Sequence, residues 1–398
     1  MDEFLGADGW LTHQRESWVW MRDRFIPYPF QNNIRHLPPA DLDKCLQGLV
    51  EITRHPRRRP EDFGQWIDAT FGPGLAEVFM RPYNFKVWAY PPEKMNSSWV
   101  GERVAVTDLG RVLHNIAHAK DDLSWGPNNT FKFPKSGGTG AIWTACAAQL
   151  PQGKIQFNQN VTAVDLLGHK VHTADGRILS YSRLISTLPL KELVKMSGQE
   201  HYRPLTEHGL LHSSSNIIGI GLSGQPPESL KTKCWLYFPE NNCPFYRVTI
   251  FSNYSPANVP NPDQQWSLMA EVSESMDKKI DQTTLLEEVI QGLINTRLIT
   301  RREAIVSTWC YRACYGYPTP SLHRDETLAE LLPFFERHDV YSRGRFGAWK
   351  YEVSNQDHSF MQGVEVVEQL LNKNPEITVT DAPHANSKHH PWPFERWQ

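Results

Sequence analysis

Long apolar runs are absent from this chain of 398 residues, and no stretch approaches the roughly 20 residues that a membrane-spanning helix needs. The first residues are acidic and carry no apolar core of a secretory signal. Cysteine is scarce, and its six copies are scattered, which favours reduced thiols in the cytosol over a disulfide framework. The chain is therefore predicted to be cytoplasmic, without membrane contact.

Several other features that would announce a function are missing. The net charge is −3 and no broad basic surface is indicated, so a nucleic-acid partner is not expected. There is no phosphate-binding Walker loop, no nucleophile elbow and no zinc-binding HExxH helix. Cys310 and Cys314 lack a second pair of ligands, so no metal site is predicted. These absences favour a reaction carried by a cofactor, or a binding role.

Large aromatic side chains are plentiful: the chain has 14 tryptophans and 13 tyrosines, many beside arginine, asparagine or glutamine. Flat rings interleaved with hydrogen-bonding groups suit a site for a sugar, a base or a flavin ring. Two arginines in such surroundings, Arg103 and Arg247, could hold a diphosphate with the hydroxyls of Tyr317 and Tyr351. Each of the four also has an ordinary interpretation, as a surface ion pair or a core aromatic, and sequence alone does not bring them together.

Periodic patterns predict an α+β fold in which helices and strands are interleaved. The predicted helices lie at residues 39–53, 61–70, 73–81, 108–119 and 283–299. The predicted strands lie at residues 154–158, 161–167, 170–173, 177–180, 183–190, 216–223, 234–238, 246–252, 266–273 and 304–312. Between an extended segment at 131–134 and a helix at 141–150, a Gly-rich loop mimics a nucleotide-binding turn, but Trp143 stands where the third glycine belongs.

Seven sequence motifs follow one another along the chain. They span residues 28–33, 79–88, 99–103, 125–128, 137–140, 234–254 and 316–359. In residue type, order and approximate spacing they resemble the eukaryotic, fungal-type UDP-galactopyranose mutases. The resemblance runs from about residue 12 to about residue 371, over nine-tenths of the chain.

The resemblance implies an isomerase that interconverts UDP-galactopyranose and UDP-galactofuranose. In that family, N5 of a reduced FAD attacks the anomeric carbon, UDP leaves, and the sugar opens and recloses on the flavin with no net redox change. The implied fold is an FAD/NAD-linked reductase-like Rossmann-type domain with a helical domain and an antiparallel sheet domain. The implied partner is a nucleotide sugar of the UDP-galactose type, and self-association into a homo-oligomer is compatible with this family.

The resemblance also implies roles for individual residues. The diphosphate would be held by a catalytic set that consists of Arg103, Arg247, Tyr317 and Tyr351. Residues that would contact the rest of the substrate are Tyr28, Gln31, Phe79, Asn84, Trp88, Asn128, Trp235 and Tyr237. Residues that would contact the FAD cofactor are Arg15, Ser17, Val161, Arg345, Asn355, Gln356 and Ser359.

Two departures from the family pattern concern the cofactor. The family opens with a strand, a Gly-rich turn and a helix that cradle the FAD pyrophosphate; this chain shows no counterpart, so its Rossmann-type domain is expected to be truncated. Ser354 replaces the family's glycine, and a β-carbon there is expected to strain a turn or crowd the flavin ring. Two alternatives therefore stay open: a flavin-less nucleotide-sugar-binding or regulatory protein, or a repurposed non-redox cyclase or isomerase of specialised metabolism.

The predicted domain organisation rests on the same resemblance. It consists of a mainly helical substrate-binding region (1–125), the remnant of an FAD-binding domain (126–190), an antiparallel sheet domain that binds substrate (191–312), a C-terminal segment facing flavin and diphosphate (313–375) and a tail (376–398).

Overall fold

The computed structural model of the chain describes residues 2–54, 59–100, 104–123 and 130–386, and the elements named here lie within them. The helices are α1 (Asp2–Leu5), α2 (Pro39–Arg54), α3 (Phe63–Leu75), α4 (Arg81–Trp88), α5 (Leu109–Ala117), α6 (Gly140–Ala148), α7 (Leu190–Met196), α8 (Arg203–Gly209), α9 (Leu285–Asn295), α10 (Arg324–Glu336), α11 (Gln356–Asn372), α12 (Ile377–Thr380) and α13 (Ala382–Asn386). The strands are β1 (Trp10–Gln14), β2 (Ser17–Met21), β3 (Arg24–Pro27), β4 (Thr130–Pro134), β5 (Val161–Asp165), β6 (Lys170–Thr173), β7 (Ile178–Ser180), β8 (Leu184–Ser186), β9 (His212–Ser223), β10 (Trp235–Tyr237), β11 (Arg247–Ile250), β12 (Gln265–Glu274), β13 (Ile305–Pro318) and β14 (Val340–Ser342).

The largest sheet has seven strands in the order β13-β9-β12-β11-β10-β2-β3. Neighbouring strands are antiparallel except β2 and β10, which run parallel and pair Ser17 with Trp235. Side chains alternate between the two faces of a strand, and the apolar set of β9 and β12 packs against α9. Ile218, Leu268 and Val289 lie in that shared core. The opposite face of the sheet carries the candidate site.

Helices of the first hundred residues pack against β2 and β3. α2 and α3 cross so closely that a β-carbon on Gly74 would lie 2.0 Å from the carbonyl oxygen of Lys44. α3 is kinked at Gly72, whose φ of 72° is left-handed, and Pro73 follows it. The apolar side chains of these helices share one core with Val19 of β2. This core positions α4, which supplies part of the candidate site.

The remaining elements form smaller sheets and a third core. β5, β6 and β7 make an antiparallel sheet, whereas β8 and β14 pair in parallel. α7 and α10 contribute Leu190, Leu331 and Phe335 to the core beside them. β1 and β4 form a separate antiparallel pair.

Most of the predicted helices and strands are present, which confirms the mixed α and β composition. The helix predicted at 39–53 is α2, and the one predicted at 283–299 is α9. The Gly-rich segment does connect a strand, β4, to a helix, α6. The strand predicted at 154–158 is wrong: the segment is irregular and exposed, so its alternating side chains have no core to face.

No helix in the described ranges combines the length and the apolar character that crossing a membrane requires. The same residues hold no group of three or more His, Cys, Asp or Glu side chains arranged to bind a metal ion. All six cysteines carry free thiols, and Cys310 and Cys314 lie exposed on β13.

Candidate active site

Aromatic side chains from three segments meet beside β10. Tyr28, which follows β3, has its ring centroid 5.3 Å from that of Tyr237 on β10. Tyr83 of α4 meets Tyr237 edge-on at 5.8 Å and stacks on Phe79 at 5.2 Å, with 8° between the ring planes. Phe79 stacks in turn on Phe30 at 4.2 Å. These five rings form the first aromatic wall, and stacked rings of this kind suit a flat heterocyclic base.

A second aromatic wall joins α4 to the end of β13. The ring of Trp88 lies edge-on to Tyr351 at 4.7 Å and to Tyr317 at 5.9 Å. The rings of Tyr317 and Tyr351 are 5.9 Å apart, and Trp99 contacts Tyr351 at 5.4 Å. The two tyrosines predicted to contact a diphosphate are therefore neighbours, although 34 positions of sequence separate residues 317 and 351.

An irregularity in β13 presents Tyr317 to this wall. The register of β13 with β9 shifts between Ala313 and Tyr317, so that Tyr317 pairs with Ser213. Gly316 lies inside this bulge, where a β-carbon would come within 2.3 Å of the hydroxyl oxygen of Ser215. Glycine is required there because the two strands approach too closely for a side chain.

Arg247 places a permanent positive charge opposite Tyr237 in the β10–β11 register. It donates from Nε to Oε1 of Glu271 at 2.6 Å and from Nη2 to Oε2 at 2.7 Å. Burial is the largest single influence and opposes the charged guanidinium, but the Glu271 carboxylate and the neighbouring tyrosines together hold the pKa of Arg247 well above its usual value. The Arg247 side chain keeps 28% of its surface exposed, against 6% for Glu271, so the arginine is the accessible partner.

Arg345 ties the bulge of β13 to the segment before α11. Its guanidinium carbon lies 4.8 Å from the ring centroid of Tyr317, and it donates to the carbonyl oxygen of Gly316 at 3.0 Å and to Oγ of Ser354 at 3.1 Å. The backbone at Ser354 has φ −121° and ψ 11°, outside the left-handed region, and its hydroxyl donates to the carbonyl oxygen of Tyr351 at 3.0 Å. The expectation that a β-carbon strains this turn is therefore wrong.

Tyrosines of the first wall are kept as neutral hydrogen-bond donors. Burial raises the pKa of Tyr28, Tyr83 and Tyr237, although Arg15 or Arg247 acts in the opposite direction on each. The guanidinium carbon of Arg15 lies 5.6 Å from the ring centroid of Tyr28. Neutral phenols beside fixed guanidinium charges can bind an anion such as a diphosphate without a competing negative charge.

Gln31 and Asn84, both predicted to contact uridine, are bonded to the main chain. Gln31 is 3% exposed and donates from Nε2 to the carbonyl oxygen of Ala105 at 2.7 Å. Asn84 donates from Nδ2 to the carbonyl oxygen of Met80 at 2.7 Å. These bonds hold the segments that carry the first wall, and a direct contact of either amide with substrate stays a prediction.

Trp235 faces a separate aromatic cluster. Its ring centroid lies 5.1 Å from that of Phe131 and 5.9 Å from that of Tyr254, in a smaller core next to the first wall. Its predicted contact with the sugar stays a prediction. Arg103 and Asn128 lie outside the described residues.

A cavity of about 350 Å³ lies between β8, the segment after β14, and α11. This volume falls within the range of small-molecule sites, roughly 300–1,000 Å³. Its lining residues are Ile185, Thr187, Pro189, Arg343, Gly344, Arg345, Phe346, Ser359 and Gly363. Two predicted flavin contacts, Arg345 and Ser359, are thus on one cavity, and Gly344 has a φ of 91° that favours glycine.

The cavity residues fit the ring of a flavin. Ile185 and Phe346 offer apolar surface to a flat ring, whereas Arg345 and Ser359 offer donors to its carbonyl oxygens and ring nitrogens.

The other predicted flavin contacts are spread over several elements. Asn355 and Gln356 are exposed at the start of α11, one turn before Ser359. Ser17 is 8% exposed on β2, beside the first wall. Val161 begins β5 and packs against the third core. Their contacts with a cofactor stay predictions.

Several residues of the site are absent from the sequence-based prediction, among them Phe30, Tyr83 and Glu271. Glu271 carried no signal of its own, because it falls, like Ser267 and Ser273, on the polar positions of an alternating strand. Tyr83 lies inside the motif at 79–88, but the resemblance implied no contact for it.

Comparisons with known proteins bear on this geometry. The family described as flavin containing amine oxidoreductase matches residues 24–333. A crystal structure of reduced UDP-galactopyranose mutase is 46% identical, with a TM-score of 0.94 over 97% of this chain and 82% of that chain. The chain belongs to the UDP-galactopyranose mutase family of flavin-containing amine oxidoreductases. This confirms the family resemblance and the Rossmann-type class of fold, while the eukaryotic branch stays a prediction.

More distant structures share the fold of this mutase family. A putative protoporphyrinogen oxidase from Exiguobacterium sp. 255-15 is 14% identical, with a TM-score of 0.66 over 93% of this chain and 83% of that chain. A CLA-producing fatty acid isomerase from P. acnes is 13% identical, with a TM-score of 0.57 over the same shares. At these identities the likeness shows the fold alone.

Proposed function

We propose that this chain is an isomerase that interconverts UDP-galactopyranose and UDP-galactofuranose. The observation that carries the proposal is the meeting of a fixed guanidinium, paired phenols and a stacked aromatic wall. Tyr237, Tyr317 and Tyr351 pack against the same core. Arg247 lies opposite Tyr237 in the register of β10 with β11, so the two walls and the arginine are neighbours. A base joined to a diphosphate needs this combination of stacking surface and anion-binding donors.

In this proposal each group has a separate task. Phe79 and the first wall hold the uridine, and Arg247 with Tyr317 and Tyr351 holds the diphosphate. These donors stabilise the negative charge that develops on the diphosphate as its bond to the sugar breaks. They also keep the released UDP in the site, so that it can bond again to the same sugar after the ring form has changed. A bound reduced FAD supplies the nucleophilic nitrogen without net redox change, and Arg345 and Ser359 would hold its ring.

The proposal extends to the branch, the compartment and the assembly. The motifs at 28–33 and 316–359 support the eukaryotic, fungal-type branch. The scattered free thiols support a cytoplasmic enzyme. A homo-oligomer and a substrate of the UDP-galactose type complete the proposal.

The direct test is turnover of UDP-galactofuranose by purified protein supplied with FAD and dithionite, with products separated by liquid chromatography. Wild-type protein should form UDP-galactopyranose. Arg247→Ala should lower kcat/KM by about 10- to 100-fold, because a charged hydrogen bond to the diphosphate is lost. The matched control is Arg312→Ala, whose guanidinium pairs at 2.8 Å with Glu274 on the same sheet.

Two outcomes would contradict the proposal. Wild-type protein that binds reduced FAD and UDP but forms no product would overturn the isomerase activity and favour a nucleotide-sugar-binding role. Equal losses in Arg247→Ala and Arg312→Ala would show that Arg247 has no special contact with the diphosphate.

A further inference from the structure

Glu271 is a buried carboxylate on the mostly polar face of an alternating strand. It is 5% exposed on β12, and its neighbours Ala270 and Val272 are fully buried on the opposite face. The register of β11 with β12 places Glu271 directly opposite Arg247. Burying a carboxylate costs hydration free energy, so the partners of Glu271 must stabilise it in the folded protein.

Both carboxylate oxygens of Glu271 are used by its neighbours. Oε1 accepts from Nε of Arg247 at 2.6 Å, and Oε2 accepts from Nη2 at 2.7 Å. Oε2 also accepts from the hydroxyl of Tyr246 at 2.8 Å. Two short, parallel bonds fix the plane of the guanidinium as well as its position.

Glu271 bonds to Arg247 side-on, through Nε and Nη2, and this determines which N–H groups of the guanidinium remain for a ligand. Glu271 takes one N–H from Nε and one from Nη2, which leaves the two N–H groups of Nη1 and one of Nη2. Those remaining groups form the outer edge of the guanidinium, a second fork that can bind phosphate oxygens bidentately. Within the described part of the chain, no other carboxylate bonds to Arg247.

Tyr246 is the second side chain that bonds to Glu271. Its ring is 1% exposed, so its position is set by packing as well as by Glu271. Burial, and then the Glu271 carboxylate, raises the pKa of Tyr246, so its hydroxyl stays protonated as a donor to Glu271. Tyr246 therefore helps to hold the Glu271 carboxylate in place behind Arg247.

We propose that Glu271 is a positioning residue for diphosphate recognition: it holds Arg247 side-on so that the outer guanidinium edge meets the phosphate oxygens. This inference rests on the proposed function, because it needs a diphosphate at Arg247. Glu271 itself does not touch the substrate.

The test compares UDP with uridine, which lacks the diphosphate, by titration calorimetry on the full chain. In Glu271→Gln the affinity for UDP should fall about tenfold or more, because the amide offers Arg247 one acceptor in place of two. The affinity for uridine should stay unchanged. The matched control is Glu274→Gln on the same strand, whose carboxylate pairs with Arg312 and should affect neither ligand.

A second pair of variants separates positioning from general damage. In protein that already carries Arg247→Ala, adding Glu271→Gln should cause no further loss of UDP affinity, since Glu271 acts through Arg247. If Glu271→Gln does not fold, Glu271→Asp keeps the charge but shortens the reach, and its UDP affinity should fall while its uridine affinity does not.

Several results would overturn this inference. Unchanged UDP affinity in folded Glu271→Gln or Glu271→Asp would do so, and so would parallel losses for UDP and uridine or a further loss in the Arg247→Ala background. Failure of wild-type protein to bind UDP would overturn the proposed function together with the inference. Weakening by Arg247→Ala without weakening by the Glu271 variants would leave the proposed function standing and remove the inference alone.

Discussion

The imidazole of His212 is packed among aromatic rings at the start of β9. Its ring centroid lies 4.4 Å from that of Tyr315 and 6.1 Å from that of Trp349. Burial, and then the charge of Lys191, lowers the pKa of His212 to about 4 from an ordinary value of 6.5. The folded protein therefore keeps this imidazole neutral at pH values where the unfolded chain takes up a proton.

We predict that His212 makes the protein sensitive to acid between pH 6.5 and about 4. In that window the unfolded chain binds more protons than the folded one, so stability falls with falling pH, by about 3 kcal/mol over the whole window. Above the window this contribution is constant. His212→Phe keeps a ring and removes the titration. Its free energy of unfolding in urea should therefore fall less between about pH 7 and about pH 4.5 than that of wild type.

The control for His212 is an exposed histidine. His208 lies on the surface of α8, so His208→Gln should leave the pH dependence of wild type unchanged. Identical pH dependence in His212→Phe and wild type would rule out the neutral buried imidazole.

At the scale of elements, the crossing of α2 and α3 depends on glycines. A β-carbon on Gly74 would lie 2.0 Å from the carbonyl oxygen of Lys44, and one on Gly48 would lie 2.7 Å from the amide nitrogen of Gly74. Because the contact atoms are backbone, the helices themselves must separate to admit a methyl group. We predict that Gly74→Ala costs roughly 1–3 kcal/mol, measured as the free energy of unfolding in urea.

A second helical glycine serves as the matched control for Gly74. Gly363 of α11 is exposed, and a β-carbon there would meet nothing within 4 Å. Gly363→Ala should therefore stabilise the protein by up to about 1 kcal/mol, since alanine is the better helix former. A neutral Gly74→Ala would mean that the two helices are less tightly packed than the structure shows.

Elements with a local apolar period were predictable from sequence, and those that depend on distant partners were not. α2 and α9 show their apolar stripe within one helix, β9 alternates in its second half, and β12 alternates over most of its length. β2 and β3 were not predicted from the sequence. β2 pairs with the distant strand β10, and β3 pairs with β2, so both depend on a partner that local sequence patterns do not show. At 154–158 a strand was predicted from alternating side chains, but the segment is irregular because no core covers it.

The candidate site was predictable in its residue types but not in its connections. The motifs named Arg247, Tyr317 and Tyr351, and the structure brings them near one another. The sequence did not reveal that Arg247 is held by Glu271, because that contact depends on the register of two strands 24 positions apart. The bulge at Gly316 was equally hidden, since it exists only against Ser215 of β9.

On the scale of the whole molecule, one buried ion pair connects three regions. Arg324 at the start of α10 is 1% exposed and donates to Glu352 at 2.8 and 3.0 Å. It also contacts Asp325 at 2.7 Å and Oγ of Ser98 at 3.4 Å. The pair thus links α10, the segment that carries Tyr351, and the loop that precedes the motif at 99–103.

We predict that Arg324→Met destabilises the protein by about 3–5 kcal/mol, because it removes the guanidinium that donates two hydrogen bonds to the buried Glu352 carboxylate. The double variant Arg324→Met/Glu352→Leu should recover part of that loss, since the buried carboxylate is then removed as well. The control is Arg81→Met, which breaks partly exposed pairs with Asp68 and Glu93 and should cost less than Arg324→Met, about 1 kcal/mol. Urea denaturation of the four proteins checks the order, and a double variant less stable than Arg324→Met would refute the argument.

The parallel pairing of β2 with β10 joins chain segments that lie more than 200 residues apart. During synthesis β2 leaves the ribosome well before its partner β10, which follows more than 200 residues later. Contacts of such long range fold slowly, because the entropy of a large loop is lost before the pairing repays it. Until then the apolar residues of β2 lie next to an unpaired strand edge, so the nascent chain is most exposed to aggregation, and most in need of chaperones, in this early stretch.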